Sequence, residues 1–419
     1  MAIVVQKYGG SSVGTTERIV NVARRLIASK ERGEKVVAVV SAMGDVTDEL
    51  LEKALAISAE PPEREMDMLL ATGEQVTIAL LAMAIHAQGH EAISFTGAQA
   101  GIVSDSSHTK ARIQEIHADR VMAALDQGRI CIVAGFQALT PEGDITTLGR
   151  GGSDTTAVAI AAGLGAEVCE IYTDVDGVFT ADPRIEPHAR KIDTISYEEM
   201  LEMAATGARV LQLRSVEFAR NHGVAIHVRS SFSDKPGTIV GEADDSMEQA
   251  IISGVTHDTS EAKVTVRDVP DRPGVAAEVF GRLAADNVNV DMIIQNVSEA
   301  GMTDISFTTP KEDLVRAKRA VADVTAALGA RDFTVDESIA KVSLVGAGMK
   351  THPGVAALMF RTLADAGVNL DMISTSSIRI SCVISADQVQ TAVRALHEAF
   401  GLANGAVSAE TSPSVGGAS

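Results

Sequence analysis

Short β-branched runs alternate with helical stretches over the first part of the chain, up to about residue 240. Six runs predict strands, at 3–6, 36–41, 92–95, 130–136, 168–173 and 225–229. Between them, apolar residues recur with helical spacing and predict helices at 15–30, 66–88, 112–127, 153–164, 197–205 and 210–221. This alternation is typical of a mostly parallel sheet covered on both faces. Ligands bind such sheets at the carboxyl ends of the strands, so we expect the chemistry in the loops that follow them.

The C-terminal part of the chain contains an internal repeat. Residues 273–293 and 353–373 are identical at 13 of 21 aligned positions, beginning with PGVAA and ending with DMI. A strand-like run precedes each copy, at 263–267 and 341–345. Another run and a helix follow it, at 304–308 with 311–328 and at 378–384 with 386–400. The pattern β-α-β-β-α, present twice, predicts two small modules that stabilise each other by burying one face.

Composition excludes several classes of partner. The chain has 36 Lys+Arg against 56 Asp+Glu, a formal net charge of −20, whereas nucleic-acid and anionic-membrane surfaces require a basic face. Its three cysteines, Cys131, Cys169 and Cys382, are far apart, which predicts no disulfide framework and no zinc site. The start of the chain does not resemble a signal peptide, and the longest apolar stretch, 157–166, is half a membrane span. We therefore expect a cytoplasmic protein without a nucleic-acid or membrane partner.

Two glycine-rich segments each stand between a predicted strand and a helix. They are KYGGSS, which begins at Lys7, and LGRGGSDTT, which contains Arg150 and Asp154. Glycines let backbone N–H groups point at an anion, and the following helix adds the positive end of its dipole. The simpler alternatives are a turn with a solvated lysine for the first segment and an N-capped turn for the second. An N-cap needs neither an arginine nor three glycines, so the second segment favours an anion site.

Three further segments carry candidate polar residues. Segment 172–184, YTDVDGVFTADPR, follows a strand; its Asp-x-Asp suggests a metal and its Asp-Gly an ordinary turn, and we favour a loop at the edge of a nucleotide. SAMG with Thr47 is another strand-end turn, whereas TGE lies in a helix, where Glu74 alone would be taken for a solvated residue. The chain has no P-loop, no dinucleotide-binding glycine motif after a strand and no protein-kinase motif.

Taken in order, KYGGSS, SAMG, TGE, LGRGGSDTTA, YTDVDGVFTADPR and the tandem repeat resemble the aspartate kinase family, from residue 3 to about 400. The resemblance implies a three-layer α/β/α amino-acid-kinase fold with a mostly parallel sheet over residues 1–245. It also implies two C-terminal ACT domains, which are β-α-β-β-α-β, ferredoxin-like regulatory modules. One ACT domain, 263–337, would be inserted into the other, formed by 246–262 together with 338–405, and 406–419 would be a disordered tail.

The implied reaction is the ATP-dependent phosphorylation of the L-aspartate side-chain carboxylate to 4-phospho-L-aspartate. It is the first step towards lysine, threonine, methionine and diaminopimelate. Two anions must approach each other, so the site needs positive charge and backbone donors rather than a strong base, because a carboxylate is already ionised near neutral pH. The resemblance makes Lys7 and Asp154 the catalytic residues. Mg²⁺ would be held through the ATP phosphates rather than by a protein metal site.

The resemblance also implies the binding residues. Substrate would be bound by Ser41, Thr47, Glu74, Arg150, Gly151, Gly152 and Ser153, with Glu74 on the ammonium group and Arg150 on a carboxylate. Nucleotide would be bound by Lys7, Tyr8, Gly9, Gly10, Ser11, Tyr172, Thr173, Asp174, Asp182, Arg184 and Arg209. Arg209 stands where many relatives have lysine, and a planar guanidinium is not equivalent to an ammonium group, so whether it contacts the nucleotide stays open.

Feedback inhibition by threonine and/or lysine through the ACT domains is the third implication. Effector candidates in the first repeat are Asp271, Arg272, Pro273, Gly274, Val275, Ala276, Asn289, Val290, Asp291 and Gln295. Those in the second are Val355, Ala356, Asn369, Leu370, Ser376 and Ser377. The turn at 271–274 enters a helix, whose free N–H groups suit an amino-acid carboxylate. Alternatively, the repeats serve only as dimerisation modules.

Two other functions stay open at this stage. One is another kinase of the same fold, acting on glutamate, acetylglutamate or a nucleoside monophosphate, which the Glu74 and Arg150 pairing and the tandem repeat fit less well. The other is a non-catalytic amino-acid sensor, against which the presence of Lys7, Arg150 and Asp154 argues. The expected assembly is a homo-oligomer, or an α2β2 complex whose smaller subunit is translated separately from a start near Met247.

Overall fold

The computed structural model describes residues 2–243, 251–296 and 301–403. Met247 and the tail 406–419 lie outside the described residues. Two compact units are present: residues 2–178, 191–205 and 209–243 belong to the first, and all other described residues, including the short segments 179–190 and 206–208, belong to the second.

The described part of the first unit has twelve strands, and eight of them form its main sheet. Its twelve strands are β1 (Ile3–Tyr8), β2 (Lys35–Val40), β3 (Ala92–Phe95), β4 (Ile102–Ser104), β5 (Ile113–Ile116), β6 (Ile130–Ala134), β7 (Gln137–Leu139), β8 (Ile145–Thr147), β9 (Val168–Thr173), β10 (Thr194–Ser196), β11 (Ala225–Ser230) and β12 (Thr238–Gly241). The main sheet has the order β10-β12-β11-β9-β1-β2-β6-β3 and is parallel except between β11 and β12. Its central strands β2 and β6 are continuous apolar runs because both faces of the sheet are covered. A smaller sheet, β5-β4-β7-β8, stands beside it.

The described part of the first unit contains eight α-helices. They are α1 (Thr16–Glu31), α2 (Val46–Ile57), α3 (Glu63–Leu70), α4 (Thr72–His86), α5 (Asp119–Asp126), α6 (Gly152–Leu164), α7 (Tyr197–Ala205) and α8 (Leu213–His222). Helices α1 and α4 pack together over one face of β2 and β6, and α6 packs on β1 and against α8. Successive side chains of β1 therefore meet different neighbours: Tyr8 belongs to the core beneath α1 and α4, and Lys7 reaches α6. The predicted three-layer fold is confirmed.

All six predicted strands exist, but two predicted helices are wrong in part. The prediction at 112–127 begins with β5, because Ile113 and Ile116 have helical spacing yet belong to a strand that pairs antiparallel with β4. The prediction at 66–88 is divided at Ala71 into α3 and α4. Helix α2 is absent from the predicted elements; it buries little apolar surface and leaves Leu51, Leu55 and Ile57 exposed, so its amphipathic signal is weak.

Within the described residues, one stretch, Glu63–His86, is long and apolar enough to cross a membrane, and its most apolar window of 18 residues has a mean hydropathy of 1.7. In the structure Ile78, Leu81 and Ile85 of this stretch pack in the core with α1 and the sheet. Glu74, an ionisable residue, is buried in its middle. These contacts are those of a core helix.

The second unit contains two four-stranded antiparallel sheets. Its strands are β13 (Gly254–Asp258), β14 (Glu261–Pro270), β15 (Ile293–Gln295), β16 (Met302–Pro310), β17 (Asp332–Asp336), β18 (Ile339–Val345), β19 (Met372–Thr375) and β20 (Arg379–Ser385). Its helices are α9 (Val275–Ala285), α10 (Leu314–Leu328), α11 (Val355–Asp365) and α12 (Val389–Ala399). The sheets have the orders β15-β16-β14-β17 and β13-β18-β20-β19, so β13 takes in the second sheet the edge position that β17 holds in the first.

Charged side chains of the two repeats form ion pairs with each other within this unit. Lys341 of β18 has a side chain that is 1% exposed, and it pairs with Glu261 of β14 at 2.8 Å and with Asp291. In the opposite direction, Lys263 of β14 pairs with Asp371 at 2.5 Å. Because Asp291 and Asp371 are equivalent positions of the repeat, the sequence repeat becomes an approximately symmetric pair of contacts.

Candidate active site

A cleft of about 460 Å³ opens in the first unit where β1 and β2 end. Lys7, Gly9, Gly10, Ser41, Thr47, Asp48, Leu70, Glu74, Thr109, Phe136, Thr147, Gly149, Arg150, Gly151, Gly152, Ser153, Asp154 and Gln212 line it. The position agrees with the rule that parallel sheets bind ligands at the carboxyl ends of their strands. Both glycine-rich segments therefore reach one cleft, although more than a hundred residues separate them.

Lys7 and Asp154 form an ion pair on the floor of this cleft. Lys7 is the next-to-last residue of β1, and Asp154 lies in the first turn of α6. The Lys7 Nζ atom is 2.5 Å from Asp154 Oδ1, and the two side chains are 13% and 9% exposed. A nearly buried carboxylate at this distance restricts the direction of the lysine ammonium group.

The two glycine-rich turns bring backbone close to the ion pair. Gly149 and Gly151 have φ angles of +75° and +72°, which side-chain-bearing residues rarely adopt. A Cβ on Gly152 would lie 2.6 Å from the Phe136 ring, and one on Gly10 would lie 3.0 Å from the carbonyl oxygen of Gly44. The glycines are thus required by the geometry, and α6 begins at the cleft with its N–H groups available to an anion.

Glu74 presents a buried carboxylate to the cleft. It lies in the first turn of α4 and is 3% exposed, and its Oε1 accepts a hydrogen bond from the backbone N–H of Ala42 at 3.2 Å. Its other oxygen, Oε2, is buried and has no hydrogen-bond partner within the described part of the chain. Burial raises the pKa of Glu74 to about 7. An unsatisfied buried carboxylate oxygen is costly, and a ligand ammonium group would satisfy it.

The cleft brings together every residue predicted to bind substrate, and also Lys7, Gly9, Gly10 and Asp154. It adds residues that were not among the predicted site residues: Asp48, Leu70, Thr109, Phe136, Thr147, Gly149 and Gln212. Asp48 and Gly149 are neighbours of predicted residues and were within reach of a motif-based prediction. Gln212 carries no such signal, because only the fold places its side chain where a Cβ on Gly151 would overlap it.

The side chains of Tyr8 and Tyr172, two residues predicted to bind nucleotide, lie in the core rather than in the cleft. Tyr8 is 0% exposed and Tyr172 is 4% exposed. They lie opposite each other on β1 and β9, and their rings stack with centroids 4.7 Å apart inside the core. A nucleotide can meet only the backbone of Tyr8 or Tyr172. Strand alternation is the physical reason, since Lys7 and Tyr8 cannot both face the cleft.

The remaining predicted nucleotide residues lie outside the cleft lining. Thr173 and Asp174 stand at the carboxyl end of β9, where the Thr173 hydroxyl donates to the Asp174 carboxylate at 3.1 Å. Ser11 is exposed in the first glycine-rich turn, and Arg209 is exposed after α7. Asp182 and Arg184 belong to the second unit, where the Arg184 guanidinium lowers the pKa of Asp182 by a hydrogen bond.

The effector candidates occupy equivalent places in the two repeats. Gly274 and Gly354 have φ angles of +97° and +104° and precede α9 and α11, and Asp271 and Gln295 are exposed. The other candidates are Arg272, Pro273, Ala276, Asn289, Val290, Val355, Ala356, Asn369, Leu370, Ser376 and Ser377, all at least partly accessible. The Val275 side chain is 2% exposed in the core of the first repeat, so Val275 offers an effector only its backbone, and Asp291 is paired with Lys341.

The described residues contain no group of three or more His, Cys, Asp or Glu side chains arranged to hold a metal ion. Cys131, Cys169 and Cys382 are buried as free thiols, as expected of core residues. Carboxylates within the cleft are Asp48, Glu74 and Asp154, of which Asp154 lies between the glycine-rich turns and Lys7. The cleft therefore combines fixed positive charge, backbone donors and a carboxylate beside the glycine-rich turns.

Comparison with known proteins gives consistent matches. The amino acid kinase family model matches residues 2–230, and the ACT domain model matches residues 264–324 and 342–400. An aspartokinase of Mycolicibacterium smegmatis is 57% identical over 407 residues, which cover 96% of this chain and 97% of the relative. The crystal structure of E. coli aspartokinase III in complex with aspartate and ADP (R-state) is 25% identical, with a TM-score of 0.82, over 95% of this chain and 100% of that chain. The structure of E. coli aspartokinase III in complex with lysine and aspartate (T-state) is also 25% identical, with a TM-score of 0.73, over 94% and 99%.

Proposed function

Because this chain belongs to the aspartokinases within the amino acid kinase family, we propose that the cleft of the first unit is where it phosphorylates aspartate. The enzyme transfers a phosphoryl group from ATP to the side-chain carboxylate of L-aspartate. With relatives more than half identical over nearly the whole chain, a kinase for another acid and a non-catalytic sensor are no longer competing hypotheses. What remains to be proposed is the role of each residue.

A single observation carries the proposal: the Lys7–Asp154 ion pair and the buried, unsatisfied Oε2 of Glu74 face the same cleft. The ion pair with the glycine-rich turns suits transferring phosphate, and the Glu74 carboxylate suits an ammonium group. Arg150, presented between Gly149 and Gly151, adds positive charge for a substrate carboxylate. An amino acid with an additional carboxylate matches this set of groups.

The chemistry requires positioning and charge stabilisation more than proton transfer. An oxygen of the aspartate side-chain carboxylate forms a bond to the γ-phosphorus, the bond from that phosphorus to the β-phosphate oxygen breaks, and ADP leaves with the electron pair. Lys7 stabilises the negative charge on the transferring group, and Asp154 orients the Lys7 ammonium group through their ion pair. Backbone N–H groups of the two glycine-rich turns complete the anion site.

Mg²⁺ would arrive with ATP, held through its phosphates, and would supply positive charge to neutralise the phosphate oxygens. Asp154, paired with Lys7 in the first turn of α6, would help to organise this metal–phosphate region. The other nucleotide contacts that we propose within the first unit are those of Ser11, Thr173, Asp174 and Arg209.

Acyl-phosphate trapping tests the proposed activity directly. We expect the chain, incubated with ATP, Mg²⁺ and hydroxylamine, to form aspartyl hydroxamate from L-aspartate and little or none from L-glutamate or N-acetylglutamate. ADP release measured in parallel should match hydroxamate formation. ADP release without hydroxamate would contradict transfer to a carboxylate, and equal yields from glutamate would contradict the assignment of the acid.

Regulation by lysine and/or threonine is proposed for the second unit, in line with the lysine complex of E. coli aspartokinase III. Asp271, near the N-terminus of α9, and Gln295, on edge strand β15, are exposed polar residues. In this proposal they supply the side-chain contacts, and the N–H groups at the start of α9 meet the effector carboxylate. This unit contains the ACT repeat, whose domains we propose to be 263–337 and 338–405 with 246–262, following a kinase domain over 1–245. We also propose a cytoplasmic homo-oligomer or α2β2 complex.

Substitutions at the proposed effector site should separate inhibition from catalysis. We expect Asp271→Ala and Gln295→Ala to weaken inhibition by lysine, threonine or both about 10-fold, because each removes hydrogen bonds to a charged ligand. The uninhibited kcat should stay near that of the parent chain, as should that of the control Gln390→Ala, an exposed glutamine of α12. Activity titrations with each amino acid, alone and together, provide the measurement. Unchanged inhibition in both variants would place the effector elsewhere.

A further inference from the structure

Asp67 does not line the cleft, but its carboxylate accepts hydrogen bonds from Thr109 and Thr147, which form one of the cleft walls. Asp67 of α3 is 0% exposed, and its two oxygens accept hydrogen bonds from three donors. The backbone N–H of Thr109 reaches both oxygens at 3.1 Å, the Thr147 hydroxyl donates to Oδ1 at 2.5 Å, and Nδ1 of His108 lies 2.7 Å from Oδ2. Thr109 and Thr147 line the cleft, whereas Asp67 does not.

Burying a carboxylate completely is expensive, so these hydrogen bonds must compensate its desolvation. One of the donors, the N–H of Thr109, belongs to a backbone in an uncommon conformation. Thr109 has a φ angle of +64°, which is uncommon for any residue but glycine and more so for a β-branched one. By accepting the Thr109 N–H with both oxygens, Asp67 stabilises this strained conformation at the edge of the cleft.

The conformation of Thr109 bears directly on the turn that carries Arg150. A Cβ on Gly149 would lie 3.0 Å from the Thr109 carbonyl oxygen, so the two backbones are packed against each other. Arg214 joins the same two segments from behind, with hydrogen bonds to the carbonyl oxygens of Leu148 at 2.6 Å and Ala111 at 2.9 Å. The loop around Thr109 and the turn from Gly149 therefore form one supported wall.

We propose that Asp67 is a positioning residue for aspartate: through Thr109 and Thr147 it fixes the wall against which the Arg150 turn rests. The proposal deepens the proposed function and rests on its assignment of Arg150 to a substrate carboxylate. Asp67 does not line the cleft, and its hydrogen bonds go to His108, Thr109 and Thr147 rather than to the Lys7–Asp154 pair. Its loss should therefore affect the binding of aspartate much more than the binding of ATP or the phosphoryl transfer.

Steady-state kinetics with aspartate and ATP varied in turn test this inference. Asp67→Asn should raise the KM for aspartate about 10-fold, because charged hydrogen bonds to Thr109 and Thr147 become neutral or are lost, and should leave the KM for ATP within about 2-fold. Thr147→Val, which removes the hydroxyl donor, should also raise the aspartate KM. Thr147→Ser, which keeps the hydroxyl, should have an aspartate KM near that of the parent chain. A split between the two KM values is not expected from a general loss of stability.

Thr146→Val is the matched control. Thr146 precedes Thr147 on β8, is equally buried, and bonds Ser104 at 2.6 Å instead of Asp67. It should leave both KM values unchanged, and thermal melting should show that all variants are folded. If Asp67→Asn does not fold, the comparison of the aspartate KM between Thr147→Val and Thr146→Val tests the proposal instead. Equal aspartate KM values for these two variants, or an ATP KM that rises as much as the aspartate KM, would overturn the proposal.

Arg150→Ala, measured in the same series, separates this inference from the proposed function. If Arg150→Ala raises the aspartate KM and the Asp67 and Thr147 variants do not, only the positioning role is overturned. If Arg150→Ala leaves the aspartate KM unchanged, the assignment of Arg150 is wrong, and the positioning role that rests on it falls as well.

Discussion

Lys7→Ala should lower kcat about 100-fold or more, which is the magnitude typical of removing one preorganised group that stabilises charge in a transition state. The ammonium group of Lys7 lies at the end of β1, 2.5 Å from Asp154, in a cleft where both side chains are nearly buried. Its effect on the transferring phosphoryl group is strong because little water screens it. Binding of ATP should weaken less than kcat falls, since the glycine-rich turns remain.

The measurement is kcat at saturating aspartate and ATP, with nucleotide binding determined separately by calorimetry. Lys35→Ala is a suitable control, because Lys35 begins the neighbouring strand β2 and pairs with Asp126 at 2.6 Å on the surface. An exposed ion pair of this kind contributes about 0–1 kcal/mol to stability, so kcat should be unaffected. A kcat for Lys7→Ala within a few-fold of the parent chain would remove Lys7 from the catalytic residues.

The residues of the site are predictable where a local motif determines both backbone and chemistry. The glycines of the two turns predict positive φ angles or a close approach of neighbouring backbone, and Gly149 and Gly151 have such angles. Lys7 and Asp154 belong to those same motifs. Parallel strands bring their loops to one edge of a sheet, so the meeting of the two segments follows from the β/α alternation.

The rest of the site depends on contacts between distant parts of the chain. Asp67 appears in the sequence as one acidic residue of a helix rich in charge, and nothing local shows that it is fully buried. Its role arises because β8 and the loop after β4 meet α3 in space. The role of Thr109 likewise depends on its positive φ angle, which a threonine in the sequence does not predict.

Tyr8 shows a different limit. The motif assigns Tyr8 to the nucleotide together with Lys7. The two-residue period of the strand already predicts that the Tyr8 side chain faces away from the cleft. Along a strand, successive side chains point to opposite faces, so a motif that places Lys7 in the cleft must direct Tyr8 away from it. The register of β1 with β9 then puts Tyr172 beside Tyr8 in the core. Residue roles taken from a motif thus need to be filtered by the two-residue period of each strand.

Glu74→Gln should raise the KM for aspartate about 10- to 100-fold, because a hydrogen bond between charged groups is worth about 1.5–3 kcal/mol and glutamine cannot replace the charge. The KM for ATP should change little. Glu74 is already anchored through Oε1 to the backbone of Ala42, so Oε2 is held in position for the substrate ammonium group. Glu65→Gln, on the exposed side of α3, removes a carboxylate that pairs with Arg64 on the surface and should leave both constants unchanged.

The pH dependence gives this prediction a second, independent measurement. Burial raises the pKa of Glu74 to about 7, so below that pH the carboxyl is mostly protonated and cannot pair with an ammonium group. The value of kcat/KM for aspartate, which reports ionisations of the free enzyme, should therefore rise as pH increases through about 7 in the parent chain. In Glu74→Gln this rise should disappear, because the amide does not titrate. A rise that persists in the variant would assign the titrating group to another residue, and a raised ATP KM would show that Glu74 does not act on aspartate.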